Sequence, residues 1–367
     1  MNNINEKIET ISKEIQKLKD KTFKVFFFVY DTKGVPSGSL TYIYQTASYL
    51  KELGYDVKML YTEEDFQTPE TWLNTINISE LPHLNIQKDK VEVSASDFLF
   101  IPEIFADVMA KTKEMPCKRV AILQNYDFMT ELIPVGASWS TLKIEDCVTT
   151  SKYLGQRLNE VFKNVKVNVV RPCIDDIFNE DDTDKKLIVN IVSKDQNDLN
   201  AIVKPFKWKY PMCGFVPFRY VNGQDKETFA KLLKESAITV WNDPFTDFGI
   251  SALEAMACGN IIIGKIPEGE PEWLIEEGKV KDNGVWYYNT KDSHALIASV
   301  VQTFMRDKLP DDVLKEMKNT VKQYRSDKQK KDIEKVYVNT IFESRIKELQ
   351  TIVDYLNKNN VELNTEN

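Results

Sequence analysis

Two patterns alternate along most of this chain. Short unbroken apolar runs are separated by stretches in which apolar residues return every three or four positions. The runs Lys24–Tyr30 (K-V-F-F-F-V-Y), Val57–Tyr61, Phe98–Pro102, Arg119–Gln124, Cys147–Ser151 and Val167–Val170 predict buried strands. Leu40–Leu53, closed by Gly54, predicts a helix. Strand, Gly-containing turn (Asp31–Ser39), helix and strand make a β-α-β unit, the entry to a Rossmann-like domain. A second series opens at Leu187–Val192. It continues through Ala237–Trp241 and Ile261–Ile263. Lys204–Tyr210 (K-P-F-K-W-K-Y) interleaves cations with aromatics. It predicts a strand with exposed lysines, the alternative being a nucleic-acid surface.

The two ends carry narrower stripes. Ile4, Ile8, Ile11, Ile15 and Leu18 recur at spacings of four and three with charges between them. This is an a/d seam of under three heptads, marginal alone, which predicts either a short coiled coil for self-association or a helix lying on the neighbouring domain. Ile346, Leu349, Val353 and Leu356 make a second such seam, which either crosses back to the first domain or pairs with residues 2–20. Residues 358–367 are polar and expected to be disordered.

The densest signal is Ser236–Trp273. Strand Ala237–Trp241 gives way to breakers between Asn242 and Gly249, and a small-residue helix, Ala252–Cys258, is stopped by Gly259-Asn260. Ser251 is the expected N-cap, with Glu254 at capping-box spacing. Gly249 and Ser251 therefore bring backbone N–H groups to a helix N-terminus just past a strand's carboxyl end, where open α/β sheets bind phosphates.

Length and composition narrow the class. The 367 residues exceed one ordinary core, so two domains are expected. A net charge of −8 argues against a protein that grips nucleic acid over its whole surface. Five cysteines without paired spacing fit a reducing compartment. With no signal-like apolar segment and no run long enough to span a bilayer, a cytoplasmic location is expected. Two histidines, His83 and His294, leave little material for a Ser-His-Asp triad or a multi-His metal centre. Asp182-Thr183-Asp184 has the D-x-D form of a Mn²⁺ site, but no apolar strand precedes it and it is taken as a solvated turn.

The run D-F-G-I-S-A-L-E-A-M-A-C-G-N-I-I-I, with Glu272 beyond it, resembles the donor-binding signature of retaining GT-B glycosyltransferases, family 4 in particular. Ser37-Gly38-Ser39 and L-K-E-L-G-Y-D-V resemble that family's first loop and helix end, and V-V-R-P-C-I-D-D-I-F-N its inter-domain hinge. The resemblance covers nearly everything after residue 23 and implies a GT-B fold: two Rossmann-like domains facing a cleft. The expected division is an N-terminal helix (1–22), an acceptor-side domain (23–170), a hinge and linker (171–186), a donor domain (187–330), C-terminal helices (331–357) and a tail.

The resemblance also implies roles. Glu254 holds the ribose of a nucleotide-sugar, the simpler alternative being the capping-box partner. Gly38, Ser39, Thr246, Phe248, Gly249, Ile250 and Ser251 line the donor site. Thr246 stands where the pattern has its first Glu; either Asp247 reaches the sugar from one residue away or the site takes an unusual sugar. Lys194 is the expected cation for the donor diphosphate and Lys204 the candidate second one, where the family uses an Arg–Lys pair. Glu103 and Asn125-Tyr126-Asp127 sit at strand carboxyl ends facing the cleft, with Asp127 as a candidate acceptor-side group or else a solvated loop carboxylate. The implied activity is transfer of a sugar from a UDP- or GDP-sugar type of donor, with retention and without a metal or other cofactor. The acceptor class stays open: glycan, lipid, protein, small molecule or DNA bearing hydroxymethylated bases. A same-fold epimerase is disfavoured by the scarcity of His. A non-catalytic GT-B subunit that binds a partner through its helical ends, or self-associates there, is the main rival.

Overall fold

The computed structural model describes residues 2–306 and 311–365. The first domain contains α1 (Asn2–Lys19), β1 (Lys24–Phe28), α2 (Gly38–Glu52), β2 (Asp56–Tyr61), β3 (His83–Asn85), β4 (Phe98–Pro102), α3 (Ala106–Lys111), β5 (Lys118–Leu123), α4 (Tyr126–Leu132), β6 (Asp146–Thr149), α5 (Lys152–Val161) and β7 (Lys166–Val169). All seven strands are parallel, in the order β3-β2-β1-β4-β5-β6-β7. Strand alternation explains the solid Phe run of β1. Val25 and Phe27 face one core, with α1 and α2; Phe26 and Phe28 face the other, with α5.

The second domain contains β8 (Lys186–Ser193), α6 (Asn197–Lys209), β9 (Phe218–Val221), α7 (Lys226–Glu235), β10 (Ser236–Asn242), α8 (Ile250–Ala257), β11 (Ile261–Lys265), the hairpin β12 (Ile275–Glu276) and β13 (Lys279–Val280), then β14 (Val285–Tyr287), α9 (Ser293–Met305) and α10 (Asp311–Lys322). Its main sheet is parallel in the order β14-β11-β10-β8-β9. Strand order reverses between β1 and β4 in the first sheet and between β8 and β10 in the second. Such switch points open a crevice outside the strand carboxyl ends.

Two sequence expectations are corrected in this domain. Lys204–Tyr210 is the end of helix α6, not a strand. Ile202 and Phe206 are buried one turn apart, with Leu199 and Val203 packed beside them. That helical spacing over the whole segment outweighs the brief cation–aromatic alternation, and the helix holds despite Pro205. Ser251 is also not the N-cap of α8. Gly249 occupies that position at φ 72°, with no side-chain cap, and no capping box forms.

The chain crosses between domains twice, side by side. On the outward passage Ile174 donates to Tyr324 O at 2.7 Å, and the Phe178 carbonyl accepts from Arg325 Nη1 at 2.7 Å. Arg171 grips Asp332 with two nitrogens, at 2.9 and 3.3 Å. On the return, α11 (Ser326–Ile333), a π-helical stretch (Glu334–Phe342) and α12 (Glu343–Thr365) lay Ile333, Tyr337, Phe342, Leu349 and Val353 into the first domain's core. Ile15 and Leu18 of α1 join the same cluster. The two terminal seams therefore meet within one chain, with α1 lying on its own domain. The expected tail is helical backbone to Thr365, and residues 366–367 lie outside the described residues.

Candidate active site in the inter-domain cleft

The loops after β1, β4, β8 and β10 converge at the two switch points. The β10–α8 loop is held from beneath by aromatics. Gly249 donates its N–H to Thr246 Oγ1 at 2.9 Å, and a Cβ on it would lie 2.5 Å from the Trp241 ring. Only glycine suits a position that combines positive φ with that contact. Trp241 Nε1 donates to Ser251 Oγ at 3.1 Å, and Trp273 Nε1 to the Phe248 carbonyl. The hydroxyl expected to cap α8 is thus the acceptor for an indole, while Phe248 is buried against Tyr324.

Across the cleft, Gly38 opens α2, with Ser37 as N-cap accepting from Leu40 N at 3.3 Å. A Cβ on Gly38 would lie 3.4 Å from Ile250 Cγ2. Ile250 at the start of α8 therefore packs against the start of α2, so the two helix N-termini lie close together, and their positive dipole ends favour an anion beside them in the cleft. Ser39 lies half-buried in the first turn of α2. Lys194, at the end of β8, is exposed and paired with Asp243 at 3.1 Å. Lys204 is not brought beside it: α6 leaves the cleft at Asn197, and Lys204 lies seven residues further, about 10 Å along the axis.

Each expected carboxylate has a definite partner. Glu254 is 2% exposed and forms an ion pair with Lys226, which is 8% exposed. The Lys226 ammonium also lies 5.2 Å from the centre of the Phe178 ring. Asp247 Oδ2 accepts from the Tyr126 N–H at 2.9 Å. Burial, aided by the charge of Asp127, pushes its carboxyl up to about 6, against the pull of the Tyr126 amide and Arg157. Asp127 is exposed in the first turn of α4. Glu272 Oε2 accepts from the Lys152 N–H at 2.9 Å. Asp182 and Asp184 lie exposed in the linker, and among the described residues no group of three His, Cys, Asp or Glu could hold a metal ion.

Two groups of consequence had no assigned role in the sequence. Glu103, at the end of β4, is 3% exposed and accepts from the N–H groups of Gln124 (3.2 Å) and Asn125 (2.8 Å). Burial pushes its carboxyl up to about 7; the amide bonds oppose this and the charge of Asp247 adds to it. Lys226 had no signal: it opens an ordinary amphipathic helix.

No family model matches the chain. It is 24% identical over 183 residues to an alpha-1,6-glucosyltransferase of Actinobacillus pleuropneumoniae serotype 7 (strain AP76), a match that takes in 49% of this chain and 56% of that protein. The chain thus spans just over half the length of that curated relative. Solved structures align far more completely. The pneumococcal O-GlcNAc transferase GtfA, in complex with UDP and GlcNAc, superposes at TM-score 0.61 and 8% identity over 89% of this chain and 99% of that one. Sucrose-phosphate synthase of Thermosynechococcus elongatus superposes at 0.61 and 12% identity, over 88% and 100%. HepE of Anabaena, in complex with UDP-glucose, superposes at 0.59 and 13%, over 86% and 99%. Two parallel sheets with alternating helices, joined by a double crossing and matched along nearly the whole of such neighbours, make this chain a GT-B fold protein.

Proposed function

We propose that the chain transfers a hexose from a nucleoside-diphosphate sugar to an acceptor hydroxyl, with retention at the anomeric carbon. The observation that carries this reading is the proximity of two helix N-termini at Gly38 and Ile250, with Lys194 exposed at the adjacent strand end, where Asp243 pairs with it. That arrangement suits a diphosphate leaving group better than it suits any neutral ligand. UDP-glucose is the first donor to test, given the curated glucosyltransferase relative and the HepE complex.

In this reading the bond from the anomeric carbon to the diphosphate oxygen breaks as the acceptor oxygen bonds to the same face. The leaving phosphate oxygen takes the acceptor's proton, so no protein base is needed. Lys194 and the backbone amides at 249–251 take up the developing charge. Glu254 holds the ribose once Lys226 yields one of its oxygens, Asp247 reads the sugar, and Asp127 lies on the acceptor side. Thr246 and Ser39 line the donor's path. The scheme routes no step through a metal.

The engagement of Asp247, Glu254 and Glu272 by groups of the same chain favours a second reading, a non-catalytic GT-B subunit. A thermal-shift screen of UDP, GDP, ADP, CDP and their sugars separates the two. Stabilisation by one nucleotide series, lost in Lys194→Ala and Gly249→Ala, followed by glucose release or transfer from UDP-glucose, supports the enzyme. No response to any nucleotide sinks it.

A further inference from the structure

Besides Lys226 N to Trp72 O (3.1 Å) and Asn74 Nδ2 to Asp225 Oδ1 (3.5 Å), three hydrogen bonds run across the cleft between the loops after β5, β6, β10 and β11. Asp247 Oδ2 accepts from Tyr126 N at 2.9 Å, Glu272 Oε2 from Lys152 N at 2.9 Å, and the Phe245 carbonyl from Asn125 Nδ2 at 3.2 Å. The first two share a design. Tyr126 and Lys152 are the first residues of α4 and α5, whose N-caps are Asn125 and Ser151. Each cap side chain serves an amide three residues further on, Phe128 N at 2.9 Å and Leu154 N at 3.1 Å. The first amide of each helix is then served by an acid from the other domain. Both carboxylates thus sit at the positive ends of helices to which they are not bonded by sequence.

The geometry around Asp247 is built rather than incidental. Glu103 binds the amides of Gln124 and Asn125 and so fixes the turn that aims the Tyr126 N–H. From the other side, Gly269 lies so close that a Cβ there would be 2.6 Å from Asp247 Oδ1. Asp247 is also the acid expected to reach the sugar, and Glu272 is the later acid of the same signature.

We propose that Asp247 and Glu272 form a self-occluding latch. They hold the two domains together by capping α4 and α5, and a donor sugar must compete with those helix N-termini for the same carboxylates. The latch stands on the distances alone; the competition rests on the donor reading above.

The N-cap dihedrals provide a clean test. Asn125 (φ −142°, ψ 125°) and Ser151 (φ −150°, ψ 158°) already have the extended conformation that precedes proline. Proline at the first helical position is well tolerated and has no N–H. Tyr126→Pro/Lys152→Pro therefore deletes both donors while leaving the acids in place, and Asp247→Ala/Glu272→Ala deletes the acceptors. Tyr126→Ala keeps the N–H and controls for loss of the ring that Arg157 overlies at 5.4 Å.

The readout is a pulsed electron spin resonance distance between labels at Val135→Cys and Tyr288→Cys in the full chain. Both sites are exposed, one on each domain, and all five native cysteines are buried. Without nucleotide, both double variants should give longer, broader distances than the wild type, and Tyr126→Ala should not. Distributions that superimpose on the wild type overturn the latch. In titrations with UDP-glucose, the proline variant should bind roughly 3- to 30-fold more tightly, two such contacts being given up on donor binding. Equal binding overturns the competition. Opening of both variants with no nucleotide-sugar binding to any form upholds the latch and overturns the donor reading instead.

Discussion

The Lys226 ammonium lies against the Glu254 carboxylate inside the second domain, both nearly sealed from water. Breaking a buried pair from one side leaves an uncompensated charge. Lys226→Met is therefore expected to destabilise the protein by about 3–5 kcal/mol in urea unfolding. Lys226→Met/Glu254→Leu should recover most of that loss, since apolar replacement of a buried pair is often close to neutral. If Glu254 holds the ribose, this refolded double variant will still fail to bind nucleotide. A purely structural pair would leave nucleotide binding intact.

Gly249 combines φ 72° with a Trp241 ring 2.5 Å from where a Cβ would stand. Gly249→Ala should cost roughly 1–2 kcal/mol from the left-handed backbone alone, and more from the contact. Trp241→Leu in the same chain relieves the contact but not the backbone term. Melting temperatures of the single and double variants separate the two, and nucleotide-induced shifts should fall in both.

Glu103 gives the pH dependence a definite sign. Its carboxyl is raised to about 7 in the folded protein, so between the unfolded value and 7 the folded state binds the extra proton. Stability should therefore rise as pH falls from 8 towards 5. Glu103→Gln, which cannot charge, removes this part of the slope. The stability difference, wild type minus variant, should grow by on the order of 3 kcal/mol across that range in urea titrations. A difference that is flat with pH, or that shrinks on acidification, contradicts the assignment.

Lys194 is 80% exposed, so Lys194→Ala should leave the melting temperature unchanged. Loss of a cation from a departing diphosphate should lower kcat about 100-fold or more. Steady-state kinetics with UDP-glucose checks this, and an unchanged kcat removes Lys194 from the reaction.

Much of this architecture is written locally. Parallel strands buried on both faces must be short apolar runs, which is why Phe98–Pro102 has the same limits in pattern and structure. Ala252, Ala255 and Ala257 let α8 lie close against the sheet, so the loop and helix around Gly249 follow largely from their own sequence. The α6 strand–helix error and the misplaced cap of α8 lie where local signals were brief or shared. Packing of Ile202 and Phe206 decided the first, and a tryptophan from the preceding strand took the Ser251 hydroxyl in the second.

The polar partners at the cleft are not local. Glu254 finds Lys226 on another helix, Asp247 finds the Tyr126 amide 121 residues away, and the two terminal seams find each other. Periodicity records which face of an element avoids water, because burial acts on each residue separately. It does not record which charge meets which amide, because that depends on how two finished domains are set against one another. Local pattern therefore specifies the buried parallel strands and the glycine-bound loop, whereas the end of α6 follows from its packing partners. The arrangement of the finished domains, which no local pattern encodes, is what sets the Asp247 carboxylate of that loop on an amide of the opposite domain.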